Sequence, residues 1–188
     1  MSSVPAEPSA RVFFALWPST AVADDLAGLA AELAASCGGR PTRAGTVHLT
    51  LAFVGNVAES RLEELAAAAR GISLPAFDLR LDRVAGWAHN DIVWAGFTAP
   101  PPALGELAGL LRERLIAGNF SVDRRKSAFF PHVTLLRKAQ RIPPEKPLAP
   151  ARDWHCQGFV LVRSQLSAAG SNYRVLASYP FAAGQAHA

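Results

Sequence analysis

One order of elements occurs twice in this chain and restricts its fold more than any other feature: an apolar strand, an amphipathic helix, then a strand bearing a histidine. It runs from Arg11 to Val54 and again from Asp91 to Arg137. In the first copy Arg11 to Trp17 is a short apolar run, and Pro18-Ser19-Thr20 supplies a turn and a helix cap. Val22, Leu26, Leu29 and Leu33 then recur at helical spacing until Gly38-Gly39 ends the helix. In the second copy Asp91 to Thr98 reads as a strand, and the prolines at 100–102 open a helix from about Ala103 to Ala117. Its apolar stripe is Leu104, Leu107, Leu111 and Leu115, and Phe129 to Arg137 reads as the closing strand. An internal duplication into two related lobes follows.

The two closing strands carry the same chemistry. From Val47 to Val54, Val47, Leu49, Leu51 and Phe53 alternate with His48, Thr50 and Ala52; later, Val133 and Leu135 alternate with His132 and Thr134. Residues i and i+2 of a strand project from one face, so each His-x-Thr presents an imidazole beside a hydroxyl while the other face anchors in the core. With six threonines and five histidines in 188 residues, chance sets Thr two after His twice only about one time in a hundred. Two such pairs across a cleft supply a base for water on one side of phosphorus and an acid for the leaving oxygen on the other. The threonine hydroxyls suit the non-bridging oxygens, which gather charge in the five-coordinate state. The scheme needs no metal.

The remaining segments frame these copies. A helix is expected from about Ala58 to Arg70 and a strand over Phe77 to Leu81. Ile142 to Pro150 is proline-rich and reads as a surface loop, and Gly158 to Ser167 and Asn172 to Tyr179 as a closing pair of strands. Residues 1–10 and 183–188 read as flexible tails around one bilobal domain, 11–182.

Half the residues are apolar and 18% are charged, which excludes a disordered chain. The net charge of +4 suits a polyanion such as RNA and equally a mildly basic enzyme. Cys37 and Cys156 are too few and too far apart for a disulfide framework or a thiolate zinc cluster, so a cytoplasmic setting is expected. No signal-like start and no run of about eighteen apolar residues is present, and no membrane association is expected. With no His-Glu-x-x-His, Cys-x-x-Cys pair or glycine-rich nucleotide loop, no cofactor is expected. His89, His155 and His187 lack partners at metal-ligand spacing and read as bystanders. Arg124-Arg125-Lys126, with Arg137, Lys138 and Arg141, either tracks an RNA backbone or is a solvated cluster. Phe13, Phe14, Phe53, Phe129 and Phe130 either stack on bases or fill the core.

These segments together resemble the two-histidine phosphoesterases, and within them the RNA 2',3'-cyclic phosphodiesterases, also called the 2'-5' RNA ligase family. The resemblance rests on Arg11-Val12-Phe13-Phe14-Ala15-Leu16, on His48-Leu49-Thr50-Leu51-Ala52-Phe53-Val54-Gly55, on Pro131-His132-Val133-Thr134-Leu135-Leu136-Arg137, and on Val162 to Ser167 with Tyr173. It implies a bilobal, pseudo-symmetric α+β fold, two antiparallel sheets facing a central cleft with helices outside. It also implies His48 as proton donor to the ribose 3'-oxygen, His132 as proton acceptor from water, and a 2'-phosphate product. Thr50 and Thr134 match the phosphate-contacting positions, and Arg137 resembles a basic position that reaches the phosphate. Thr42 to Val47 departs from the pattern, lacking the aromatic and the Pro-Glu-Asn-type turn that family members often carry there.

The expected substrate is therefore RNA with a 2',3'-cyclic phosphate end, acted on by a monomer, with weak 2'-5' ligation as the same exchange run backwards. A phosphodiesterase of small cyclic nucleotides and a non-catalytic RNA or nucleotide-binding module remain open beside it.

Overall fold

The computed structural model describes residues 7–122, 129–167 and 170–182. Its strands are β1 (Ser9–Leu16), β2 (Arg40–Pro41), β3 (Leu49–Ala58), β4 (Phe77–Trp87), β5 (Ile92–Gly96), β6 (Val133–Arg137), β7 (Lys146–Cys156), β8 (Gly158–Ser167) and β9 (Gly170–Pro180). The helices are α1 (Thr20–Cys37), α2 (Leu62–Ala68) and α3 (Pro102–Ala117). All named strand pairs are antiparallel, in the order β7-β4-β5-β6-β3-β1-β8-β9, with β2 on β6.

The duplication is visible in this order: β1, α1 and β3 match β5, α3 and β6, and each half extends outward by two more strands. The two sheets expected from the resemblance are hydrogen-bonded into one, but the seam between β3 and β6 is a single pair, Leu49 opposite Val133. The halves nevertheless share a core. Val12, Phe14 and Leu16 of β1, Leu49 and Leu51 of β3, and Val133 and Leu135 of β6 pack with Leu26 and Leu33 of α1 and with Leu107 and Leu111 of α3. α1 lies against β6 and α3 against β3, so each helix covers the other half's strand.

The local rules explain most boundaries. Ser19 caps α1, its Oγ accepting from the Val22 N–H at 3.4 Å, and Gly38, at φ 66°, ends it. Pro102 opens α3 at a position that needs no N–H donor. The segment expected as one helix from Ala58 to Arg70 is a tight 3-10 turn, Glu59–Arg61, followed by α2.

Two expectations need correction. The proline-rich segment read as a loop to Pro150 is strand from Lys146 onward, because β7 is an edge strand whose outer side makes no ladder bonds and so tolerates proline. The strict alternation of the first histidine strand also fails beyond Ala52. Register shifts against β1 turn Phe53 outward, 40% exposed, and Val54 inward. The expected tails lie outside the described residues at 1–6 and 183–188, whereas Ser9 and Ala10 already belong to β1. Among the described residues no helix is long and apolar enough to cross a membrane.

Candidate active site

The helices cover one face of the sheet; the other carries the polar residues of the two histidine motifs. His48 and His132 stand one residue before β3 and β6 rather than inside them, flanking the Leu49–Val133 pair. Continuing that register by one residue each way sets His48 opposite Thr134 and Thr50 opposite His132. The four chemical side chains thus alternate around the seam, and their apolar neighbours Val47, Leu49, Leu51, Val133 and Leu135 are buried beneath them.

Both imidazoles are held in the same way. His48 Nδ1 donates to the Thr46 carbonyl at 2.7 Å, and His132 Nδ1 to the Phe130 carbonyl at 2.9 Å. Each bond fixes the Nδ1–H tautomer of the neutral ring and leaves Nε2 as the atom for chemistry. Aromatic rings then limit their motion. Trp17 stacks on His48 at 5.9 Å between centroids, with Phe13 at 5.0 Å and the edge of Tyr173 at 5.2 Å. Trp87 meets His132 edge-on at 4.7 Å.

Burial by these rings pushes the His48 imidazole down to about 4, with the charges of Arg137 and His132 adding to it and the Thr46 hydrogen bond opposing. His132 is lowered for the same reason, burial first, with Arg137 acting in the same direction against the Phe130 bond. Arg137 therefore acts on both rings.

A cavity of about 280 Å³ opens beside His48, lined also by Arg40, Thr42, Arg43, Thr134 and Arg137 and closed by Ser171 and Tyr173. Of the residues singled out in the sequence, His48, Thr134 and Arg137 line it, while Thr50 and His132 share the same face of the sheet beside it and are not part of its lining. Trp17, Trp87, Arg40 and Arg43 escaped the sequence reading. The motif spacing gives no signal for residues brought in from other strands and loops, although Tyr173 carried part of the resemblance. Phe14 is fully buried in the core, whereas Phe130, half exposed, packs against Trp87 and Trp94 near His132. The run Arg124-Arg125-Lys126 and His187 lie outside the described residues. His155 pairs with Asp78 Oδ1 at 2.7 Å on the exposed β4–β7 pair. Both cysteines are buried thiols. Among the described residues no three His, Cys, Asp or Glu side chains gather as metal ligands would.

Comparison with known proteins agrees with this architecture. A family model described as LigT-like phosphoesterase matches residues 16–94. An RNA 2',3'-cyclic phosphodiesterase of Thermus thermophilus is 31% identical over 184 residues, covering 90% of this chain and 89% of that protein. One of Escherichia coli is 41% identical over 110 residues, 56% of this chain and 61% of that protein, so this match spans less than two thirds of the relative. The crystal structure of E. coli LigT complexed with 3'-AMP superposes with a TM-score of 0.83 at 29% identity, over 93% of this chain and 99% of that one. The chain belongs to the LigT-like phosphoesterases, within the two-histidine superfamily.

Proposed function

We propose that this protein opens the 2',3'-cyclic phosphate at an RNA end by hydrolysis, leaving a 2'-phosphate and a free 3'-hydroxyl. Water attacks phosphorus as its proton passes to His132 Nε2, and the bond from phosphorus to the ribose 3'-oxygen breaks as His48 Nε2–H protonates that oxygen. Thr50 and Thr134 donate hydrogen bonds to the non-bridging oxygens, and Arg137 offsets the charge that develops there. With a ribose 5'-hydroxyl attacking phosphorus in place of water, the same step forms a 2'-5' linkage and frees the 3'-hydroxyl.

The observation that carries this reading is the matched pair of Nδ1-to-carbonyl bonds, which sets both rings in one tautomer on opposite sides of the Leu49–Val133 seam. A module that only grips phosphate has no need of two identically oriented bases. The names of the Thermus and E. coli relatives support the same substrate class.

The test uses end-labelled RNA bearing a cyclic phosphate, with chelator present. His48→Ala and His132→Ala should each lower turnover by about 10²- to 10⁴-fold, the range of a lost general acid or base. Parental rates in either variant, or tight binding without ring opening by the parent, contradict the mechanism.

A further inference from the structure

Beyond the residues assigned to the reacting phosphate, the cavity continues along Arg40, Pro41, Thr42 and Arg43 to the tip of the β8–β9 hairpin at Gly170 and Ser171. We propose that Arg40 and Arg43 seat a second phosphate, the phosphodiester on the 5' side of the nucleotide that carries the cyclic ring. The preferred substrate is then an oligonucleotide rather than a free cyclic nucleotide. This rests on the cyclic phosphodiesterase reading of the same site and adds to it.

Three observations carry the inference. First, three arginines and, among the described residues, no carboxylate line the cavity. Among the described residues no ion pair joins Arg40, Arg43 or Arg137 to an acidic side chain. A single cyclic phosphate carries one negative charge and cannot balance three guanidinium groups.

Second, Arg40 stands directly opposite Arg137 where β2 pairs with β6. Like charges at opposed positions of an antiparallel pair destabilise it, so this arrangement costs the free protein stability that a bound polyanion restores.

Third, the two arginines are placed rather than loose. Arg43 Nη2 donates to the Ser171 carbonyl at 3.3 Å, and the Arg40 guanidinium lies so close to the hairpin tip that a Cβ on Gly170 would sit 3.3 Å from Nη1. The short segment that holds them is tied to the catalytic strand. Thr42 N–H donates to the Leu135 carbonyl at 2.8 Å, and its Oγ1 to the Thr134 carbonyl at 2.8 Å. Thr134, Arg40 and Arg43 thereby line one cavity on segments that are bonded to each other. A cyclic phosphate occupies the 3' end, so the neighbouring phosphate lies on the 5' side.

The experiment compares kcat/KM for a nucleoside 2',3'-cyclic phosphate, the same compound with a 5'-phosphate, and a dinucleotide ending in the cyclic phosphate. Each is measured with the parent, with Arg40→Gln/Arg43→Gln and with Arg40→Lys/Arg43→Lys. The parent should favour the dinucleotide over the bare nucleoside by about tenfold or more, the scale of a charged hydrogen bond. In the glutamine variant this ratio should collapse to about two, the lysine variant should keep most of it, and the salt dependence of kcat/KM for the dinucleotide should weaken.

Equal kcat/KM for the dinucleotide and the bare nucleoside in the parent overturns the second seat, as does a glutamine variant that loses the same factor on both. A 5'-phosphorylated nucleotide that outperforms the dinucleotide overturns the oligonucleotide preference, because the seat then takes a terminal monoester. Failure of the parent on all three substrates instead sinks the proposed reaction, an outcome distinct from a lost ratio.

Discussion

Leu49 and Val133 face each other across the seam of the sheet, and each directly follows a histidine. Being fully buried, the pair acts as a fixed pivot. Because side chains alternate along a strand, the same pair that fills the core sets His48 and His132 on the opposite face, each across from the other motif's threonine.

The threonines should matter for rate more than for folding. Thr50→Val and Thr134→Val keep the β-branched shape suited to a strand but remove the hydroxyl donor. Loss of one donor to a charge-gathering oxygen costs about 10²-fold in kcat, with KM changing far less. Steady-state kinetics on a cyclic-phosphate oligonucleotide, with circular dichroism as the folding control, measures this; a change confined to KM contradicts the assigned role.

The pH profile has a predictable sign. Both rings are held below the ordinary histidine value, His48 at about 4, so the free protein carries them neutral at pH 7. The working state needs a proton on His48 Nε2 and none on His132 Nε2, an imidazolium facing a neutral ring. The fraction of free protein in that state falls as pH rises, so kcat/KM should peak on the acid side of about 6.5 and decline toward alkaline pH. A bound phosphate anion favours the imidazolium, so the kcat profile should be displaced upward. A kcat/KM that peaks above pH 8 is inconsistent with this electrostatic picture.

Trp17 should set much of the His48 shift, since burial is its leading cause and Trp17 stacks on the ring. Trp17→Ala admits water beside the imidazole, and its pKa should rise toward the unperturbed value. Proton resonance titration of the His48 ring reads this directly, and the kcat/KM optimum should move to higher pH with it. An unmoved titration shows that other groups exclude the water.

Much of this site was legible in the sequence because its central parts are local. His48 with Thr50 and His132 with Thr134 declare themselves by two-residue spacing, and helix ends follow from Ser19, Gly38 and the prolines before α3. Arg40, Arg43, Trp17 and Trp87 reach the site through strand pairing and loop packing over long separations, which spacing cannot encode. The missed strand and the outward turn of Phe53 have the same origin. An edge position excuses Pro147 and Pro150, and register shifts with Gly55, at φ 86°, reset the alternation in β3.

Those prolines in β7 bear on how copies of the protein behave at high concentration. An edge strand normally offers a row of unsatisfied amide groups on which a neighbour can crystallise or aggregate. At Pro147 and Pro150 the donor is missing, so a second chain finds no continuous template there. The segment that looked least structured thus lacks two amide donors at one border of the sheet.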